Sequence, residues 1–173
     1  MEVTGRRSLI DRMIGAALLK IDVYEEVEHD ESATGQAAIA VGLVAIASGI
    51  ASWTYGGTGM IMGVVAAYLS WAIFAGTTYF IGDKLFKGTA TWGELLRTLG
   101  FAQSPGVLFV IGAIPVIGLI VFIPVVIWIV IAVVIAIRQA LDITTGKAVV
   151  TAVLGMLLAG FINAMINRVL GIG

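Results

Sequence analysis

The stretch GFAQSPGVLFVIGAIPVIGLIVFIPVVIWIVIAVVIAI, residues 100–137, decides how this chain folds. It holds 38 residues and no charge, and Arg97 and Arg138 flank it. As one helix at ~1.5 Å per residue it would run to about 57 Å, nearly twice a hydrocarbon core of about 30 Å. Two full spans of about 20 residues each would need slightly more chain than this. Its centre, GAIPVIG at 112–118, places Gly, Pro and Gly where a hairpin would turn. The reading is two tightly linked helices, 101–113 and 118–138, the first tilted or starting below the membrane surface.

Outward from this stretch the pattern repeats. No charge occurs between Glu31 and Asp83, or between Lys147 and Arg168. The first of these regions divides at SWTYGGTG, 52–59, where Trp, Tyr and glycines suit a short interfacial turn. It gives spans at 34–53 and 60–81, and the last region gives one at 148–167. Composition agrees: 60% of residues are hydrophobic and 12% charged, with a mean hydropathy of +1.06. A soluble globular domain is about 25% charged. The expected class is all-α, a polytopic membrane bundle of five transmembrane helices over 34–173, preceded by an amphipathic and acidic segment, 1–33.

Five spans put the N-terminal segment and the loops at 82–99 and 138–147 on one side. Nine of the ten basic residues lie there: Arg6, Arg7, Arg12, Lys20, Lys84, Lys87, Arg97, Arg138 and Lys147. Arg168 alone lies on the other side. The positive-inside rule then makes the N-terminus cytoplasmic and the C-terminus external. Asp11 and Arg12 interrupt any apolar run after the paired arginines of GRRSLIDRMIG, so no cleaved signal is expected. The absence of cysteine excludes disulfides and thiolate chemistry.

In the N-terminal segment Leu9, Ile10, Met13, Ile14, Ala17, Leu18 and Ile21 recur at helical spacing among Ser8, Asp11, Arg12 and Lys20. Such a helix either lies in the cytoplasmic headgroup layer or packs under the bundle. DVYEEVEHDESATGQ follows, with Asp22 and Glu25 in the form of a helix start and Ser32 or Thr34 placed to cap the first span. Glu25 and His29 share a helical face near Glu28, Asp30 and Glu31, which raises a cation site. One His and no EF-hand loop argue against it. Tyr24, Glu25, Glu26, Glu28 and Asp30 therefore read as a solvated acidic face, or one pairing with nearby basic loops, and no metal or cofactor is expected.

TATWGELLRTLGFAQSPG, residues 89–106, connects the second and third spans as a short helix from Trp92 to Phe101 that feeds the third, and keeps Glu94 and Arg97 three apart on one face. AIRQALDITTGKA, from 136, repeats the theme with Arg138 and Asp142 around Gln139 at the end of the fourth span. Charges at mid-bilayer cost about 2.5–3.5 kcal/mol each on the insertion scale, so they pair or reach the interface. The expectation is a cross-helix cluster of Glu94, Arg97, Arg138 and Asp142 at the cytoplasmic face. Gln103 would satisfy a carbonyl freed where Pro105 kinks the third span.

YEEVEHDESATGQA, GTATWGELLRTLGFAQSPG and AIRQALDITTGKA, in this order around five apolar spans, resemble the bacterial and archaeal members of the Yip1 domain family. The resemblance covers nearly the whole chain from about Leu9. It implies a five-helix protein of a prokaryotic cytoplasmic membrane with its N-terminus inside. Eukaryotic relatives are linked to Rab-type GTPases, vesicle formation and Golgi–ER membrane shaping, and they associate with one another. Their Asp-Leu-Tyr-Gly-Pro hallmark is matched here only by Asp22, Val23 and Tyr24, with Glu25 and Glu26 in place of Gly-Pro.

Catalytic residues are not expected. The single His sits in an acidic segment, no mid-membrane acids face one another, and no Gly-rich phosphate loop occurs. The small-xxx-small pairs Gly59 and Gly63, Ala72 and Gly76, and Gly155 and Ala159 suit close helix packing, within one protomer or between copies. Two functions follow from these features. The first is a non-enzymatic organiser of the membrane that shapes the bilayer, self-associates and holds a protein partner at its cytoplasmic face. The second is a conduit for a lipid or small ion, with Pro105, Pro115 and Pro124 breaking helices as transporters do. Lipids are the constant partner in both, and no nucleic acid is expected.

Overall fold

The computed structural model describes residues 7–53, 60–114 and 116–170, and among these there is no strand. Seven α-helices follow one another: α1 Leu9–Ala17, α2 Ile21–His29, α3 Ala33–Trp53, α4 Met60–Phe86, α5 Trp92–Ala102, α6 Ile117–Ala140 and α7 Thr145–Leu170. A 3₁₀ segment, Ser104–Ala113, runs between α5 and α6. Five stretches are long and apolar enough to cross a membrane: 33–52, 61–86, 92–113, 117–140 and 145–169. Of the turn expected at 52–59, Ser52 and Trp53 belong to α3, and residues 54–59, with Gly59, lie outside the described residues, as does Pro115 in the hairpin.

The helix expected from Trp92 to Phe101 is α5, and the stretch long and apolar enough to cross takes it in, covering 92–113 with Glu94 and Arg97 where the sequence reading began the span near 101. Thr91 and Glu94 explain why a helix starts at Trp92. The Thr91 hydroxyl accepts from the Glu94 N–H at 3.2 Å, and the Glu94 carboxylate accepts from the Thr91 N–H at 2.8 Å. The length problem resolves at Ser104-Pro105, where Pro has no N–H to continue the α ladder and the chain tightens into 3₁₀ geometry. At ~2.0 Å per residue the 3₁₀ segment covers about 20 Å, and α5 adds about 16 Å, together enough to cross. This composite span is the most buried of the five. It packs on α3, α6, α4, α1 and α2, which bury Arg97 and leave Glu94 half-exposed.

The hairpin between the third and fourth spans rests on two glycines. A Cβ added at Gly118 would sit 2.7 Å from the Gly112 Cα and 2.8 Å from its carbonyl oxygen. Backbone lies on backbone there, and Val116 takes φ = 70° to make the turn. Pro124 lies inside α6, which continues past it to Ala140. Elsewhere the spans are tied through carbonyls: Tyr68 Oη donates to Ala38 O at 3.0 Å, Trp71 Nε1 to Leu96 O at 3.0 Å, and Thr77 Oγ1 to Gly155 O at 3.2 Å. Gly155 and the buried Ala159 thus serve contact between α4 and α7 within one protomer.

Candidate functional site

The charged end of the bundle is built around α1 and α2, and its core is continuous with that of the spans. Ala16, Val23, Tyr24 and Val27 pack in one apolar cluster with Leu95, Leu99 and Ile137. Ser8 starts α1 by a capping box with Asp11, its hydroxyl accepting from the Asp11 N–H at 3.2 Å. Gly15 lets α2 approach, since a Cβ there would come within 2.5 Å of Val23 Cγ2. Tyr24 is fully buried and donates through its hydroxyl to Ala16 O at 3.0 Å. Burial pushes its phenol well above the usual range.

Arg12 is the hub that sequence reasoning missed. Only 1% exposed, it donates to Glu26 at 2.8 Å, to Asp30 at 2.6 Å and to Gln36 at 2.9 Å. Arg7 adds pairs to Asp22 at 2.5 Å and Glu26 at 2.8 Å. The acidic segment is thus only in part a solvated face: Glu26 and Asp30 hold Arg12 of α1, Asp22 and Glu26 hold Arg7 just before that helix, and Asp22, Glu25 and Glu31 stay exposed. Asp30 also organises the approach to α3, its Oδ1 accepting from the Ser32 N–H at 3.0 Å. Ser32 and Thr34 do not cap that helix: Ser32 turns to Asp30, and the Thr34 hydroxyl donates to Glu31 O at 3.0 Å.

Arg97 belongs to a different contact from the one expected. Its guanidinium is 6% exposed and donates through Nε to Val27 O at 2.9 Å and Glu28 O at 3.1 Å, with Nη2 also on Glu28 O. These carbonyls end α2, so Arg97 satisfies its unpaired acceptors and places a cation at the negative end of its dipole. The expected four-residue cluster does not form. Glu94 is spent on the α5 cap, Asp142 accepts from Thr89 Oγ1 at 3.0 Å, and Arg138 donates to Gln139 Oε1 at 2.9 Å. Gln139 reaches α2 instead, donating to Glu25 at 3.1 Å. Backbone acceptors win because α2 brings its C-terminus within reach of α5, a packing no local spacing encodes.

Glu28 completes this end. It is 8% exposed, and burial pushes its carboxyl up to about 7, assisted by Asp142, Glu94 and Glu25 against the opposing charge of His29. Among the described residues no group of three or more His, Asp or Glu side chains could hold a metal ion.

The outer side of α1 is the feature most open to a partner. Ile10 and Ile14 on α1, Leu18 at its C-cap and Ile21 at the start of α2 are 66%, 55%, 59% and 42% exposed, the last two flanking the turn where Leu19 takes φ = 60°. Trp128 fixes the level of this stripe, its indole N–H donating to Ala17 O at 2.7 Å. Trp128 sits halfway along α6 and ten residues before Arg138, about 15 Å up the helix. The stripe therefore adjoins the lipid-facing surface of a span. Of the small residues, Gly63 faces open space and Gly76 meets only Trp92 Nε1 at 3.8 Å, while Ala72 is half-buried on α4.

A family model, the Yip1 domain, matches residues 22–166. No curated protein and no solved structure matches the chain.

Proposed function

The chain belongs to the Yip1 domain family of membrane proteins, and on that premise we propose that it is a non-enzymatic organiser of the bilayer, with α1 as its working part. The single observation that carries this is the outward apolar stripe of α1 held at mid-height on α6 by the Trp128–Ala17 hydrogen bond. In this reading α1 lies in the cytoplasmic leaflet as a wedge, its length in the membrane plane. Arg7 and Arg12 pair with Asp22, Glu26 and Asp30, so neither guanidinium meets acyl chains unpaired, while the exposed Asp11 and Lys20 have to lie at headgroup level. Burying the four side chains is worth about 1.5–3 kcal/mol apiece at full transfer. An element inserted in one leaflet only expands that leaflet and favours curvature.

The nine-to-one distribution of basic residues supports the cytoplasmic assignment of this end. Self-association, and a protein partner at the face bearing Glu25, Gln139 and Asp142, belong to the same proposal. Reconstitution tests the wedge. The full chain at rising protein-to-lipid ratio should convert large phosphatidylcholine vesicles into narrower or tubular ones. A variant with Ile10, Ile14 and Leu18 all changed to Ser should remain in the membrane and leave the vesicles unchanged. Equal remodelling by both proteins would reject α1 as the working part.

A further inference from the structure

Inside the spans lies a cavity of about 560 Å³, bounded by α3, α4, α5 with its 3₁₀ extension, α6 and α7. Its walls are mainly apolar, with Val41, Val44, Phe109, Ile129 and Val133 among them, and no charged side chain lines it among the described residues. Three polar side chains break this surface: the Ser48 and Ser52 hydroxyls, which donate to Val44 O and Gly49 O of their own helix, and one amide. Gln103 faces the cavity at the point where α5 gives way to 3₁₀ geometry. Its backbone N–H is used on the Gly100 and Phe101 carbonyls, whereas its side chain makes no hydrogen bond with the described residues. It does not satisfy a carbonyl freed by Pro105, as the sequence suggested. Gln103 stands eleven residues into the span, about 16 Å from its start, at hydrocarbon depth. The side chain is half-exposed and leaves its amide free to meet a ligand in the cavity.

Size and chemistry select what would meet it. One water, whose share of liquid volume is about 30 Å³, would satisfy the amide and leave most of the space unfilled. Apolar walls do not hold a water cluster, and an ion would find no countercharge. A second cavity of about 290 Å³ adjoins the first, sharing Ser48, Ser52 and Phe109, and runs to the Gly112–Gly118 turn. The two form a largely apolar track with the Gln103 amide in the wall of the larger cavity and the Ser48 and Ser52 hydroxyls where the cavities meet. We infer that this track binds an uncharged single-chain amphiphile, an aliphatic chain whose terminal hydroxyl or carbonyl oxygen meets the Gln103 amide while its tail passes Phe109. The inference stands apart from the wedge reading of α1, which involves none of these residues.

Photolabelling of the full chain in phosphatidylcholine nanodiscs tests it, with a diazirine-bearing undecanol as probe. Labelling should saturate and map to residues 41–52 and to the 3₁₀ segment. 1-Undecanol should compete at roughly tenfold lower concentration than undecane. Gln103→Met, close in shape but without the amide, should weaken the alcohol by about three- to tenfold and leave the alkane unchanged, as expected for one neutral hydrogen bond. Ala45→Phe should fill the cavity and remove saturable labelling. Equal competition by alcohol and alkane in the unmodified protein would overturn the polar contact whether or not the variants fold. Unsaturable labelling spread over the exposed positions of α6, such as Ile120 and Ile123, would overturn the site itself.

Discussion

Replacing Arg97 by Ala separates this structure most sharply from any reading of charge spacing alone. Arg97 and Arg138 look alike in sequence, each three or four residues from an acid beside a long apolar span. In the fold Arg97 is buried on two carbonyls of α2, whereas Arg138 meets the amide of its neighbour Gln139. A hydrogen bond involving a charged group contributes about 1.5–3 kcal/mol net, so two satisfied carbonyls amount to roughly 3–6 kcal/mol. The guanidinium is itself desolvated, which offsets part of this, and a net loss of about 2–4 kcal/mol is expected for Arg97→Ala. At roughly 2–4 °C per kcal/mol for a chain of this length, Tm should fall by about 5–15 °C. Arg97→Lys should recover only part of the loss, because an ammonium cannot span both carbonyls as a planar fork does. Arg138→Ala should cost less than about 1 kcal/mol. The assay is thermal unfolding in a single detergent, with hydrogen exchange following the amides of α2. Equal Tm values for Arg97→Ala and Arg138→Ala, with α2 protection unchanged in both, would refute the assignment.

Arg12→Met should destabilise the chain by about 3 kcal/mol, the low end for a broken buried pair because Glu26 and Asp30 keep some access to water; a Tm drop with α1 newly open to protease would show it. Glu28, ordinarily near 4.5 but held up to about 7, keeps a proton between those values that the unfolded chain releases, so its contribution falls as pH rises through that window and is lost above it. The fall should reach about 3 kcal/mol, and Glu28→Gln should flatten the profile from pH 5 to 8. His29, raised first by its bond to the Glu25 carbonyl, has the same sign, so His29→Gln must leave most of the slope in place. Gly118→Val should force the hairpin apart and cost about 1–3 kcal/mol, read as a lower Tm.

The spans were legible because the chain holds three long uncharged runs that contain them, and the Gly112–Gly118 hairpin because backbone contact there requires glycine. The third span was half legible. Its low hydropathy reflects shielding by neighbours, a tertiary property, and its reach depends on a 3₁₀ segment that side-chain periodicity does not announce. Arg12 carried a signal: Leu9, Arg12, Met13 and Ala16 fall on one helical face, so the arginine stands among residues that turn inward. Arg97 carried none, because its acceptors are backbone carbonyls about 70 residues away, identical in every sequence.

The central claim is that the outer stripe of α1 lies among acyl chains, and the depth of Ile14 tests it directly. The chain has no cysteine, so Ile14→Cys takes a single nitroxide, and collision rates with oxygen and with a water-soluble nickel chelate can be compared in nanodiscs. Oxygen should dominate at position 14, to a degree near that of a nitroxide at the lipid-facing Ile123. Dominance of the nickel chelate would put α1 in water and contradict the proposed function.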